Sequence, residues 1–465
     1  MNMINVRRLA VMTFLGAGML SDISAQDFSL QADTLNEARL PAQWDLQSCI
    51  DYALEQNITI RKNRVTAEST QIDVKTAKAA LFPSLSFSTS QQVVNRPYQE
   101  TSSRVSGSEI ISSNSKTSYN GNYGLNASWT IYNGSKRLKT LKQERLNNQV
   151  AELDIATSEN TIKESIAQIY IQILYAAESV RVNENTLQVS IAQRDRGQEL
   201  LNAGSIAKSD FAQLEAQVST DRYQLVTAQA TLQDYKLQLK QLLELDGENE
   251  MNVYLPNLSD ENVLAPLPAK KDVYVSALAI RPEIEASKLN VDASELGIDI
   301  AKSSYFPTIS LSAGIGTNHT SGSDFTFGEQ VKNGWNNSIG LSVSVPIFNN
   351  RQTKSAVQKA RLQRETNMLS LLDEQKALYK TIESLWLDAN SAQQRYAAAN
   401  EKLRSTQISY DLISEQFNLG MKNTVELLTE KNNLLQAQQE QLQAKYMAIL
   451  NTQLLKFYQG DKLTL

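Results

Sequence analysis

The chain has 465 residues, 45 basic and 50 acidic side chains and a net charge of −5, with one histidine and one cysteine. A single cysteine excludes an intrachain disulfide, and one cysteine with one histidine excludes a thiolate–imidazole metal cluster. The mild acidity leaves no basic footprint for nucleic acid.

Residues 1–25 read as a signal peptide: Arg7 and Arg8, an apolar run from Leu9 to Leu20, then Ile23-Ser24-Ala25 ahead of Gln26. The run falls short of the roughly 18 apolar residues of a membrane span. Its removal takes away two arginines and Asp22, moving the net charge from −5 to −6. No later stretch is apolar enough for a transmembrane helix, so an exported protein is expected.

Residues 26–43 are polar and read as extended. A helical pattern follows from Leu46 to Leu81, with Ala53-Leu54 and Ile58 among its apolar positions, and Phe82-Pro83 ends it. The period then becomes two. Leu85 and Phe87 alternate with Ser84, Ser86 and Ser88, and a Ser-rich loop is expected over 96–118. The next strand sets Tyr123, Leu125, Ala127, Trp129 and Ile131 against Gly124, Asn126, Ser128 and Thr130.

A helix from Ser135 to Leu201, about 100 Å at 1.5 Å per residue, then runs to Asn202-Ala203-Gly204. It must pack sideways, since no globular core is that deep. The return helix, about Ala207 to Leu245, carries Phe211, Val218, Leu225, Leu232 and Leu239 at sevenfold spacing, which predicts coiled-coil packing. Asp221 interrupts that seam. Residues 246–271, with Pro256, Pro266 and Pro268, read as a linker.

The plan then repeats. At an offset of 224, Ala277-Leu278 matches Ala53-Leu54 and Phe306-Pro307 matches Phe82-Pro83. At an offset of 216, Leu341 matches Leu125, Ile382 matches Ile166, and Asn418-Leu419-Gly420 matches Asn202-Ala203-Gly204. Constant offsets mean duplication of a whole structural unit, 26–245 and 272–465. The second copy again has two strands, one with Ile309, Leu311, Ala313 and Ile315 on a face, the other with Ile339, Leu341, Val343, Val345 and Ile347. Leu428, Leu435, Leu442 and Ile449 repeat the sevens.

Each strand pairs an apolar face with a small polar one almost free of charge. That suits an outer-membrane barrel around water; Trp129, Tyr132 and Trp335 near strand ends fit interfacial positions. Four strands cannot close, and open edges are not tolerated in lipid, so chains must pool strands. Three chains would give twelve strands, four sixteen. Catalysis has little support: no phosphate-binding loop, nucleophile elbow or His-Glu-x-x-His occurs. Cys49 is expected to pack in the first helix and His319 to sit solvated in the loop 318–336. No catalytic residue, metal or cofactor is expected.

Ala53-Leu54-Glu55-Gln56-Asn57, its counterpart Ala277 to Glu283, the two Phe-Pro junctions and Asn-x-Gly at each helical turn resemble the TolC-like outer-membrane factors of Gram-negative bacteria, over essentially the whole mature chain. The resemblance implies a homotrimer: a 12-stranded β-barrel in outer-membrane lipid, continued by an α-helical coiled-coil barrel into the periplasm, with 246–271 at its equator. It implies a passive exit duct for drugs and other small molecules, docked to a periplasmic adaptor and an inner-membrane transporter. The strand hairpins would face outside and the turn tips Asn202, Gly204, Asn418 and Gly420 the periplasm. It implies a periplasmic gate as well: an Asp210–Lys422 link across neighbouring hairpins and a ring of Glu426 carboxylates. Phe417 replaces a tyrosine of that latch, and Thr429 a second acid. A type I protein-secretion duct and a coiled-coil scaffold without a pore remain open alternatives.

Overall fold

The computed structural model describes residues 41–98, 102–106, 109–113, 116–246, 251–256, 263–321, 323 and 325–464. The expected signal peptide and most of the expected extended segment lie outside these residues. Trp44 forms a parallel bridge with Val253 in a small unit whose described residues are 41–44 and 252–254. The other unit holds every helix and strand described below.

Helices α1 (Leu46–Gln56) and α2 (Ile58–Ala79) occupy the first helical pattern. The expected single helix is broken at Asn57, whose extended backbone lets its side chain accept from the amides of Thr59 and Ile60. Arg281 breaks the second copy at the matching place, between α5 (Lys270–Ile280) and α6 (Pro282–Ser303). There Pro282 at the first helical position replaces the asparagine cap. All four helices start and end at an offset of 224.

The long helices α3 (Lys136–Asn202) and α8 (Gln352–Asn418) have 67 residues each and are related by the 216 offset at both ends. Each leaves its strand through two consecutive left-handed residues, Gly134-Ser135 and Asn350-Arg351. For the non-glycine residues this costs roughly 1–2 kcal/mol each. Each long helix ends at a left-handed glycine. The amide of Ser205 donates to Leu200 O and that of Gly204 to Leu201 O; Met421 and Gly420 do the same to Gln416 and Phe417. This double bond pattern satisfies carbonyls the helix would leave open and turns the chain back. The return helices are α4 (Lys208–Leu242) and α9 (Thr424–Gln459).

Below the strands, α6 packs between α3 and α8, and α2 packs on α3. Towards the turns, α4 pairs with α3, α9 pairs with α8, and α9 also packs on α3. A buried cluster where α5, α6, α8 and α9 meet holds Val273, Ala277, Ile284, Leu378, Ile382 and Leu455. Ile382 and its counterpart Ile166 are both buried, so the repeat reaches the packing level.

Strands β1 (Ser84–Asn95), β4 (Thr117–Asn133), β5 (Thr308–Thr320) and β6 (Asn336–Ser344) form one antiparallel sheet in the order β1-β4-β5-β6. Between β1 and β4 the expected loop contains a separate hairpin, β2 (Ser102–Ser106) with β3 (Glu109–Ser113). The loop between β5 and β6 carries a short helix, α7 (Phe327–Asn333), whose Thr326 and Glu329 form a capping box. Two expectations for the strands need correction. The β4–β5 register shifts between Thr130 and Tyr132, so Tyr132 and not Ile131 lies opposite Ile309. The fourth strand stops at Ser344, because Pro346 has no N–H to pair. Val345 and Ile347 therefore lie beyond it.

Candidate functional site

The register aligns side chains in rows across all four strands. Ser86, Asn126, Gly314 and Ser338 form one row, and Ser84, Ser128, Ser312 and Gly340 another. These belong to the small polar face. Asn126 Nδ2 donates to Ser88 Oγ at 3.3 Å and Asn122 Nδ2 to Ser90 Oγ at 3.3 Å. The alternate rows are mainly apolar: Leu85, Ala127, Ala313 and Ile339, then Phe87, Leu125 and Ile315, which ends at Asn337 on β6. Leu85, Phe87, Leu341 and Ile339 stand exposed at 64–84%. Such a surface is stable only against lipid or another apolar partner.

Trp129 donates its indole N–H to Leu81 O at 2.9 Å, at the helix end of the sheet. At the loop end, His319 lies on β5 rather than in a loop. Its ring centroid is 5.1 Å from Tyr119, 6.0 Å from Tyr123 and 5.0 Å from Phe327. Gly121 makes the space: a Cβ there would stand 2.3 Å from His319 Cε1. So His319 is half-buried among aromatics, where a solvated residue was expected. Cys49 is buried in α1, and burial pushes its thiol up to about 12.

At the other end of the long helices, Gly204 and Gly420 have φ of +71 and +73, with nothing near where a Cβ would stand. Asn202 and Asn418 are the last helical residues before them. Asp210 and Glu426 turn out to be the same position of the repeat, the third residue of α4 and of α9. Asp210 Oδ2 accepts from the Ala207 amide at 3.3 Å, and Glu426 Oε2 from the Asn423 amide at 3.2 Å. Asn423 Oδ1 in turn accepts from the Glu426 amide, completing a capping box that α4 lacks because Ala207 has no side-chain acceptor.

Lys422 donates to Glu426 Oε1 at 2.6 Å. That bond, with the Asn423 amide, holds the Glu426 carboxyl below the usual glutamate range. Among the described residues, the ion pair of Lys422 is this one within its own turn, and Asp210 is engaged with its own helix. Phe417, near the second turn, is buried, and Thr429 donates to Val425 O.

One group that the sequence pattern marked only as an interruption is a polar knot. Asp221 on α4, Ser190 on α3 and Lys431 on α9 bond to one another and are 1%, 2% and 3% exposed. The signal was available: an acid in an apolar seam needs a buried partner. Its identity was not, since Lys431 is 210 residues away.

Among the described residues, no helix is long and apolar enough to cross a membrane, and no group of three or more potential metal ligands occurs.

The family model for outer membrane efflux proteins matches residues 49–244 and 273–460. The chain is similar to the outer membrane efflux protein BepC of Brucella suis biovar 1, 25% identical over 63% of this chain and 61% of that one. It is also similar to the outer membrane protein TolC of Escherichia coli K12, 24% identical over 70% of this chain and 66% of that one. The matches thus span a little under two thirds of those relatives. A crystal structure of CusC superposes with a TM-score of 0.76 at 19% identity, covering 90% of this chain and 92% of that one.

Proposed function

The chain belongs to the outer membrane efflux protein family, and from that membership we propose that it is the outer-membrane subunit of an export system, a passive exit duct for small molecules. The observation that carries this is the open sheet. Its outward rows are exposed and mainly apolar, its inward rows small and uncharged, and its two edges, β1 and β6, are unpaired among the described residues. Lipid forbids such edges.

A homotrimer is the assembly these edges favour. β1 continues from α2, which exposes Ile58, Val65 and Ile72 at sevenfold spacing. β6 runs on towards α8, which exposes Leu362, Leu369 and Leu372. The two unpaired strands are thus each joined to a helix with an unpartnered apolar stripe. Placing β6 and α8 of one chain on β1 and α2 of the next covers both at once and keeps every strand pair antiparallel. Three chains would close twelve strands around the small polar face.

The division into a leader (1–25), two repeats (26–245 and 272–465) and an equatorial linker (246–271) belongs to this proposal. So do the periplasmic adaptor and inner-membrane transporter as partners. The gate residues belong to it as well. Lys422 bound to Glu426 is one resting arrangement of the latch; exchange of Lys422 to Asp210 across hairpins would be another. The Lys422 and Glu426 side chains are partly open to solvent, so their pair is weak, which suits a latch that a docking protein releases.

Planar-bilayer recording of the purified full chain tests the duct. Stepwise conductance is expected; a protein that inserts but never conducts would contradict the proposal and favour the scaffold alternative.

A further inference from the structure

The two helical hairpins of the chain, α3–α4 and α8–α9, meet along an apolar seam that includes Leu214, Val218, Leu427 and Leu434. Two opposite charges, Asp221 and Lys431, are buried within this region. Lys431 of the second hairpin donates to both Asp221 and Ser190 of the first, and Ser190 donates to Asp221. Gln217 Nε2 donates to the other carboxylate oxygen at 2.9 Å. Burial pulls the Lys431 ammonium below its ordinary value, while the Asp221 carboxylate pulls it back up. At 1.5 Å per residue the knot lies about 20 Å along α4 from its start and about 10 Å along α9.

The repeat shows that this knot is built once. A shift of 216 carries Ser190 to Thr406 and Asp221 to Ala437, and carries Lys431 back to Glu215. Ala437 has no side-chain acceptor and Glu215 is an acid where the other copy has a lysine, so the Asp–Lys ion pair cannot form there. In a ring of hairpins, those three positions would face each other across the junction between chains. Buried ion pairs seldom add stability over apolar residues of the same volume; their attested use is to fix one register. We propose that Ser190, Asp221 and Lys431 clamp the two hairpins of one chain together just above their turns, so that the turn end opens between chains and not within a chain. This rests on the trimeric duct proposed above.

Two measurements on the full-length protein test it. In the first, hydrogen exchange is followed over residues 214–228 and 424–438. Asp221→Asn or Lys431→Met strands a buried partner, so exchange there should quicken by about tenfold or more. The combined Asp221→Leu/Lys431→Met variant, which strands nothing, should return it towards the parent rate. Unchanged exchange in both single variants would overturn the clamp.

In the second, Asp221→Cys and Lys431→Cys are bridged by a short bifunctional thiol reagent, and conductance is recorded before and after. Bridged channels should open as often as unbridged ones. A severalfold loss of opening on bridging would mean that the hairpins must part within a chain, and would refute the proposal. A parent protein that never conducts would instead refute the duct, and exchange would still report on the knot.

Discussion

Replacing Arg281 should expose how the break between α5 and α6 is held. Arg281 is 6% exposed; its guanidinium donates to Glu164 at 2.7 Å and lies 3.6 Å from the Tyr458 ring centre and 5.1 Å from that of Phe457. It thus ties the α5–α6 break to α3 and α9. Arg281→Gln removes the cation and leaves the Glu164 carboxylate at 22% exposure without it. Breaking a fully buried pair costs about 3–5 kcal/mol, and the partial exposure of Glu164 places this case near the lower end, about 3 kcal/mol.

The pH dependence follows from Glu164. Burial already raises its carboxyl above the ordinary value of 4.5, against the pull of Arg281. Without Arg281 the value rises further. A carboxyl raised in the folded state destabilises it at high pH, and that cost disappears as pH falls from the folded value to the unfolded one. The melting deficit of Arg281→Gln, followed by circular dichroism in detergent, should therefore be larger at pH 8 than at pH 5. Adding Glu164→Gln should recover most of it at pH 8. A variant that melts like the parent, or a deficit that grows on acidification, would refute the reasoning.

The remaining predictions concern the two ends of the molecule. Asp210→Ala and Lys422→Ala should each raise single-channel conductance, and Glu426→Ala should reduce cation preference; unchanged behaviour in all three would remove them from the gate. Because the Glu426 carboxyl is held below 4.5, its charge is present above that value and lost only as pH falls through the lowered one, so cation preference in the parent should survive down to about pH 4.5. Loss of preference near neutral pH would point to another group. A cysteine at Ser113 should be labelled on intact cells and one at Ser205 should not; the reverse pattern would invert the topology.

The local features of this fold were legible in the sequence. Helix lengths, the Asn-x-Gly turns and the two strand faces follow from periodicity and turn chemistry, and the offsets of 224 and 216 hold at both ends of the four short helices and the two long ones. What escaped depends on partners distant in the chain or on single backbone features inside an otherwise regular pattern. Asn57 looks helical by pattern, and only its capping of α2 shows the break. The bulge beside Tyr132 has no periodic signature, because one inserted residue leaves both flanks alternating. His319 looked solvated because its aromatic partners come from β4 and α7. The strands β2 and β3 sit in a Ser-rich stretch with little alternation of apolar residues. Asp221 was visible as a fault in the seam, whereas Ser190 and Lys431 were not. The gate residues were found through the family resemblance; the 216 offset already pairs Asp210 with Glu426, and the caps add that each carboxylate accepts from the amide that precedes its helix.

The central claim is that four strands per chain are completed by other copies of the same chain. Native mass measurement of the detergent-extracted protein tests it most directly. The account predicts a stable species of three chains that requires detergent for extraction. A stable monomer or dimer, or a species extracted without detergent, would contradict it.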